Sequence, residues 1–179
     1  MDIKHNKRLT YKQVVHQRYS HSNTFMQLET NIKNIQQIAQ RKENENLSFH
    51  SFLKGQDFDK VDAIVHRLYE EIAPQINCLK CANCCLNLRP IASNEELSKY
   101  VEEKDIEDFR YLMSFPCKHL KDKKCTIYSD RPEDCKSYPY LLKNEFVTRI
   151  LGVLQNYEIC PITFNVFELL KIEFGWRNK

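Results

Sequence analysis

Glycine is nearly missing from this chain. Gly55, Gly152 and Gly175 are the only three in 179 residues, and they stand far apart. Phosphate cradles of the G-x-G-x-x-G and P-loop types need clustered glycines so that backbone can approach phosphate, and both are excluded. The same scarcity counts against a usual glycine-rich dinucleotide or S-adenosylmethionine site. Long apolar runs are also lacking. The chain opens Met1-Asp2-Ile3-Lys4-His5-Asn6-Lys7-Arg8, so neither a signal peptide nor a transmembrane helix is expected, and a cytoplasmic, reducing location is the default. There, disulfides are disfavoured and clustered cysteines read as metal or redox sites.

Cysteine is absent from the first 77 residues and then abundant. Cys78, Cys81, Cys84 and Cys85 fall within eight positions, and Cys117, Cys125, Cys135 and Cys160 follow. The thiolate is the ligand form of cysteine, and each thiolate-held metal needs about four. All eight thiols form the candidate ligand pool. On a helix, positions 78, 81, 84 and 85 would share about one third of the circumference; as a turn, C-x2-C still reaches one metal. Adjacent Cys84 and Cys85 point about 100° apart on a helix, so one of them can serve a second centre. Eight thiols suffice for two four-thiolate sites on stoichiometry alone.

At this length, with 42% hydrophobic residues, one domain is expected, or one with an extension. Residues 1–21 carry five basic residues (Lys4, Lys7, Arg8, Lys12 and Arg18) with His5, His16 and His21, opposed by Asp2. A solvated basic arm is the plainer reading than a nucleic-acid arm, because five charges alone are weak evidence for one. Phe25, Leu28, Ile32, Ile35 and Ala39 predict a helix over 22–42. Residues 41–46 read as a polar loop or frayed end, and Phe49, Phe52 and Leu53 as a short turn of helix ending near Gly55. Phe58, Val61, Val65, Leu68 and Ile72 predict a helix over 57–73, capped by Asp57 and stopped at Pro74. His66, beside that stripe, reads as packed or exposed rather than as a ligand.

Beyond Cys85, Ser93 and Glu96 fit a capping box for a helix carrying Leu97 and Val101. A further helix can start at Asp105. The acids between Glu95 and Asp108 read as a solvated helical face. Residues 117–139 read as a loop that a metal would cross-link. Four thiolates on a divalent metal leave negative charge, so cations and N–H donors are expected beside them. Arg131, next to Pro132, and Tyr138 are the candidates. Residues 145–157 are apolar at both strand and helix spacings and stay open. Pro161 suits the first turn of a last helix carrying Ile162, Val166, Leu169, Leu170 and Phe174.

The run Cys78-x2-Cys81-x2-Cys84-Cys85, then Cys117, Cys125-x-Ile127-Tyr128-x2-Arg131-Pro132-x2-Cys135-x2-Tyr138-Pro139 and Cys160-Pro161, resembles the YkgJ-type cysteine-cluster family, the CxxCxxCC zinc- or iron-chelating domain. The resemblance covers roughly residues 75–170 and implies a small bacterial protein that binds metal through these cysteines. The chain departs from it at Ala82, where the family often has glycine, and at Lys118-His119, where it often has Pro-Phe. The second departure sets an imidazole near Cys117, most simply as a surface replacement. Flagellin lysine methylases carry a similar cluster, which makes a protein-modifying enzyme the alternative. A zinc-type nucleic-acid module is disfavoured by a net charge of only +3.

Bacterial ferredoxins hold a four-iron cluster with C-x2-C-x2-C and a remote cysteine followed by proline. Cys78, Cys81, Cys84 and Cys160-Pro161 reproduce those parts, whereas zinc domains favour two close pairs. The spacing leans to an iron–sulfur cluster over zinc. The expectation is a mainly α, small single domain of helices packed around a cysteine-rich, loop-containing metal site. Residues 1–74 supply the basic arm and helices packing on the core, and 75–179 the cysteine-cluster domain. Metal ions are the expected partners, with no membrane.

Overall fold

A computed structural model describes residues 28–91, 95, 96, 99 and 117–178. The basic arm, Ser93 of the expected capping box and the helix expected from Asp105 lie outside the described residues. The expectation of a mainly α protein holds. In chain order the elements are α1 (Ile32–Arg41), α2 (Glu43–Leu53), α3 (Phe58–Ile72), α4 (Cys78–Cys81), α5 (Asn83–Asn87), β1 (Leu120–Lys121), β2 (Lys124–Cys125), α6 (Glu133–Ser137), α7 (Phe146–Tyr157) and α8 (Pro161–Glu173). Among the described residues no helix is long and apolar enough to cross a membrane.

The first helix starts later than its apolar stripe predicts. Asn31 caps α1 by accepting from the Lys33 and Asn34 amides, so Leu28 precedes the helix and packs on the core from outside it. Side-chain capping sets the start, because it satisfies amides that the helix itself leaves unpaired. The polar stretch 41–46 is not a loop. Only Lys42 interrupts the helices, and α2 begins at Glu43. Asn46 is buried there because Lys171 donates to its Oδ1 at 2.6 Å. A buried polar partner thus overrides the surface appearance of the sequence.

For α3 the sequence reading is accurate. Asp57 caps it through the Lys60 amide, Val61, Val65, Leu68 and Ile72 are buried, and a 3-10 turn over Ala73–Gln75 takes in Pro74. The ambiguous stretch 145–157 is α7, which buries Phe146, Val147, Ile150, Val153 and Tyr157. It lacks a side-chain cap of its own. Asp62 on α3 supplies one, accepting from the Glu145 and Phe146 amides at 2.7 and 2.9 Å. Pro161 opens α8 as expected.

One core unites both halves of the chain. α8 packs on α3 and α7, and α7 packs on α2 and α3. Phe49 meets Phe167 edge-on at 5.5 Å, and Tyr157 stacks obliquely on Phe164 at 4.9 Å. Lys171 is 5% exposed, yet its ammonium donates to Glu45, Asn46 and Glu168. Lys42 also pairs with Glu168. Asn165 on α8 holds Glu29 by exchanging two backbone bonds with it. These ties fix α8 against α1 and α2, and Cys160 stands at the head of α8.

Candidate metal centre

The Cys78–Cys85 run is not one helix. Ala82 has φ +50° and separates α4 from α5. The left-handed conformation costs a residue with a Cβ about 1–2 kcal/mol. It explains why glycine suits this position, and it breaks the single helical stripe on which the four cysteines would have aligned. Asn77 caps α4 through the Lys80 amide. On α5, Asn83 is buried and its Nδ2 donates 2.7 Å to the Ile159 carbonyl. The residue before Cys84 is thereby joined to the residue before Cys160.

The wide-spaced cysteines are gathered by backbone contacts. The Cys117 amide donates to the Cys85 carbonyl at 3.1 Å. The β1–β2 hairpin then pairs Leu120 with Cys125, turning through Asp122 and Lys123, both at positive φ. Asp134, beside Cys135, accepts from the Ile91 amide at 2.8 Å and ties α6 to the segment after Cys85. α4 packs against β2. The result is a cleft of about 950 Å³ lined by six thiols, those of Cys78, Cys84, Cys85, Cys117, Cys125 and Cys135.

None of the eight cysteines is in a disulfide, and their exposure runs from open at Cys78 to buried at Cys160. Among the described residues no three Cys, His, Asp or Glu side chains stand as ready-made ligands of one ion. The thiols act on one another electrostatically instead. The Cys84 thiol donates to Cys85, which raises Cys84, with burial adding to the rise. The same bond lowers Cys85 to about 7. Burial, then Cys81, raises Cys78, against the pull of Arg131. Burial raises Cys117, with Cys85 and Cys125 contributing. Cys135 is pushed up to about 12 by burial, Cys85, Asp134, Cys117 and Cys125.

Cys160 has a different setting at the start of α8. Burial raises it to about 11, although the Thr163 amide and hydroxyl and the Ile162 amide favour its thiolate. The hydroxyls of Tyr138 and Thr163 are both buried without a hydrogen-bond partner among the described residues. Tyr138 also bears on Cys160, and burial followed by the Cys160 and Cys84 charges pushes its phenol far above the ordinary range. Two buried hydroxyls that lack a hydrogen-bond partner and interact electrostatically with Cys160 suit a thiolate there, the form a metal takes. On this observation, and on the soft donor set, the residues fit a thiolate-held zinc or iron centre.

Arg131 sits near Cys78. Its guanidinium donates 2.6 Å to the Tyr128 carbonyl and lies 4.0 Å over the Tyr128 ring. The Tyr128–Arg131 turn, and not Pro132 alone, orients the fork. His119 is held low by burial, then by Lys118 and Lys121. Sequence reasoning missed Asn83, Thr163 and Tyr69. Thr163 had a legible signal, a hydroxyl at the third position of a helix headed by Cys-Pro. Tyr69 had none: it faces Cys78 and Cys160 from the flank of the α3 stripe, and burial and those thiols raise it.

The fold and its thiol-lined cleft define a helical cysteine-cluster protein. The family model of the CxxCxxCC domain, described as a putative zinc- or iron-chelating domain, matches residues 77–161, and that stretch is similar to this domain. Metal ions are the partners that description names. No curated protein and no solved structure matches the chain.

Proposed function

We propose that the chain is an iron protein whose cysteines hold an iron–sulfur cluster, serving electron transfer or metal handling. One observation carries the reading. The distant Cys160-Pro161 stands beside the Cys78-x2-Cys81-x2-Cys84 run, joined to it by the Asn83–Ile159 bond. That run with a remote Cys-Pro is the ligand pattern of bacterial four-iron ferredoxins. Cys78, Cys81, Cys84 and Cys160 are the ligands of this centre in our reading. A cluster held there supplies one-electron chemistry. Around it, the Tyr138 and Thr163 hydroxyls and the Thr163 amide favour the Cys160 thiolate, and Arg131 offsets negative charge at Cys78. Hydrogen bonds and charges near cluster sulfurs set reduction potential. Cys78 is exposed, which leaves one edge of the site open to a partner.

The test is protein purified without oxygen, with iron, zinc and sulfide assayed on the same sample and absorption recorded before and after dithionite. Iron with matching sulfide and visible absorption that bleaches reversibly is the expected result. Colourless protein with stoichiometric zinc overturns the iron assignment and turns the role to a structural thiolate site.

A further inference from the structure

We propose that the eight thiols form two separate four-cysteine centres, Cys78, Cys81, Cys84 and Cys160 in one and Cys85, Cys117, Cys125 and Cys135 in the other. The proposal rests on the reading of the cysteines as metal ligands and adds which of them act together. The grouping follows from the fold. Asn83 fastens α5 to Ile159, which brings Cys84 to Cys160. α4 supplies Cys78 and Cys81, six and three residues before Cys84. The second group is assembled around Cys85. The Cys117 amide bonds the Cys85 carbonyl, and the Leu120 amide bonds the Cys117 carbonyl. The hairpin sets Cys125 opposite Leu120. Asp134 anchors the turn of helix that bears Cys135 to Ile91, six residues after Cys85.

The groups abut where α4 meets β2 and where the Cys84 thiol donates to Cys85. Successive residues of a helix project about 100° apart, so the adjacent pair Cys84-Cys85 can divide between two centres, and no other neighbouring cysteines in the chain can.

Full-length protein, purified without oxygen, tests this with metal content and with mass-spectrometric mapping of cysteine alkylation under native conditions. Cys135→Ser and Cys160→Ser should each remove about one of the two centres, consistent with four thiolates per site. Pairing Cys117→Ser with Cys135→Ser should remove no more than Cys135→Ser does. Pairing Cys135→Ser with Cys160→Ser should remove both. In Cys160→Ser, Cys78, Cys81 and Cys84 should become reactive while Cys85, Cys117, Cys125 and Cys135 stay protected. Cys81→Ser, at a half-exposed site, replaces Cys160→Ser if the latter does not fold. Loss of all metal from one single variant, or protection that groups Cys85 with Cys160, overturns the partition alone. Wild-type protein that holds no metal overturns the metal reading and the partition with it.

Discussion

The side-chain amide of Asn83 donates 2.7 Å to the carbonyl of Ile159, across 76 positions of chain. This bond joins the cysteine run to the turn that carries Cys160. Asn83 is 8% exposed, and truncation leaves the part-buried Ile159 carbonyl without its donor. Asn83→Ala should cost about 1–3 kcal/mol in urea denaturation, and it should speed loss of metal to a chelator. Equal stability with equal chelation rate would remove Asn83 from this role.

Ala82 separates α4 from α5 at φ +50°. For glycine there, the relief of about 1–2 kcal/mol of left-handed strain is offset by a lost buried methyl worth about 0.8 kcal/mol and glycine's added chain entropy of about 0.5–1 kcal/mol. Ala82→Gly should therefore be near neutral. Ala82→Val puts a β-branched residue in the same conformation and should cost more than about 2 kcal/mol. Thermal melts of the two variants check the ordering.

Asp62 performs a cap for a helix other than its own. Both its oxygens take amides at the head of α7, which has no local side-chain cap. Asp62→Ala should lose about 2 kcal/mol, and hydrogen exchange should quicken in the first turn of α7 before it does in α8. Asp62→Asn should fall between.

Glu168 ties the last helix to the first two. Burial alone would raise its carboxyl, but Lys171, Lys42 and Tyr157 hold it below the ordinary range. A carboxyl depressed in the folded state contributes stability fully above its unfolded value and loses that contribution as pH falls through the folded one. Lys42 is raised, since its bonds to Glu168 outweigh the burial that lowers it. Its contribution is full below its unfolded value and is lost as alkaline pH passes the folded one. Stability measured in urea should therefore fall on the acid side of the carboxylate range, and Glu168→Gln should flatten that fall. Glu168→Leu should cost about 1–3 kcal/mol at neutral pH, because the buried Lys171 loses one of its two carboxylate partners and keeps Glu45.

Much of this protein is decided locally and is legible in its sequence. α3 follows from its apolar spacing and Asp57, and the start of α8 follows from Pro161, because caps and periodicity act within a few residues. The metal chemistry is legible for the same reason: a thiol is a soft donor wherever it sits, so eight of them declare the class of site. The sequence misleads where a distant partner decides. Residues 43–46 look like surface until Lys171 meets Asn46 and Glu45, and α7 cannot be told from a strand until Asp62 caps it. The grouping of the thiols is of that second kind. Spacing sets which cysteines are near in the chain, but only the packing of α3, α7 and α8 carries Cys160 back to Asn83 and Cys84. The backbone bond between Cys117 and Cys85 joins the later cysteines to the run. Ligation depends on distances of a few ångströms, and those are properties of the folded core rather than of the order of residues.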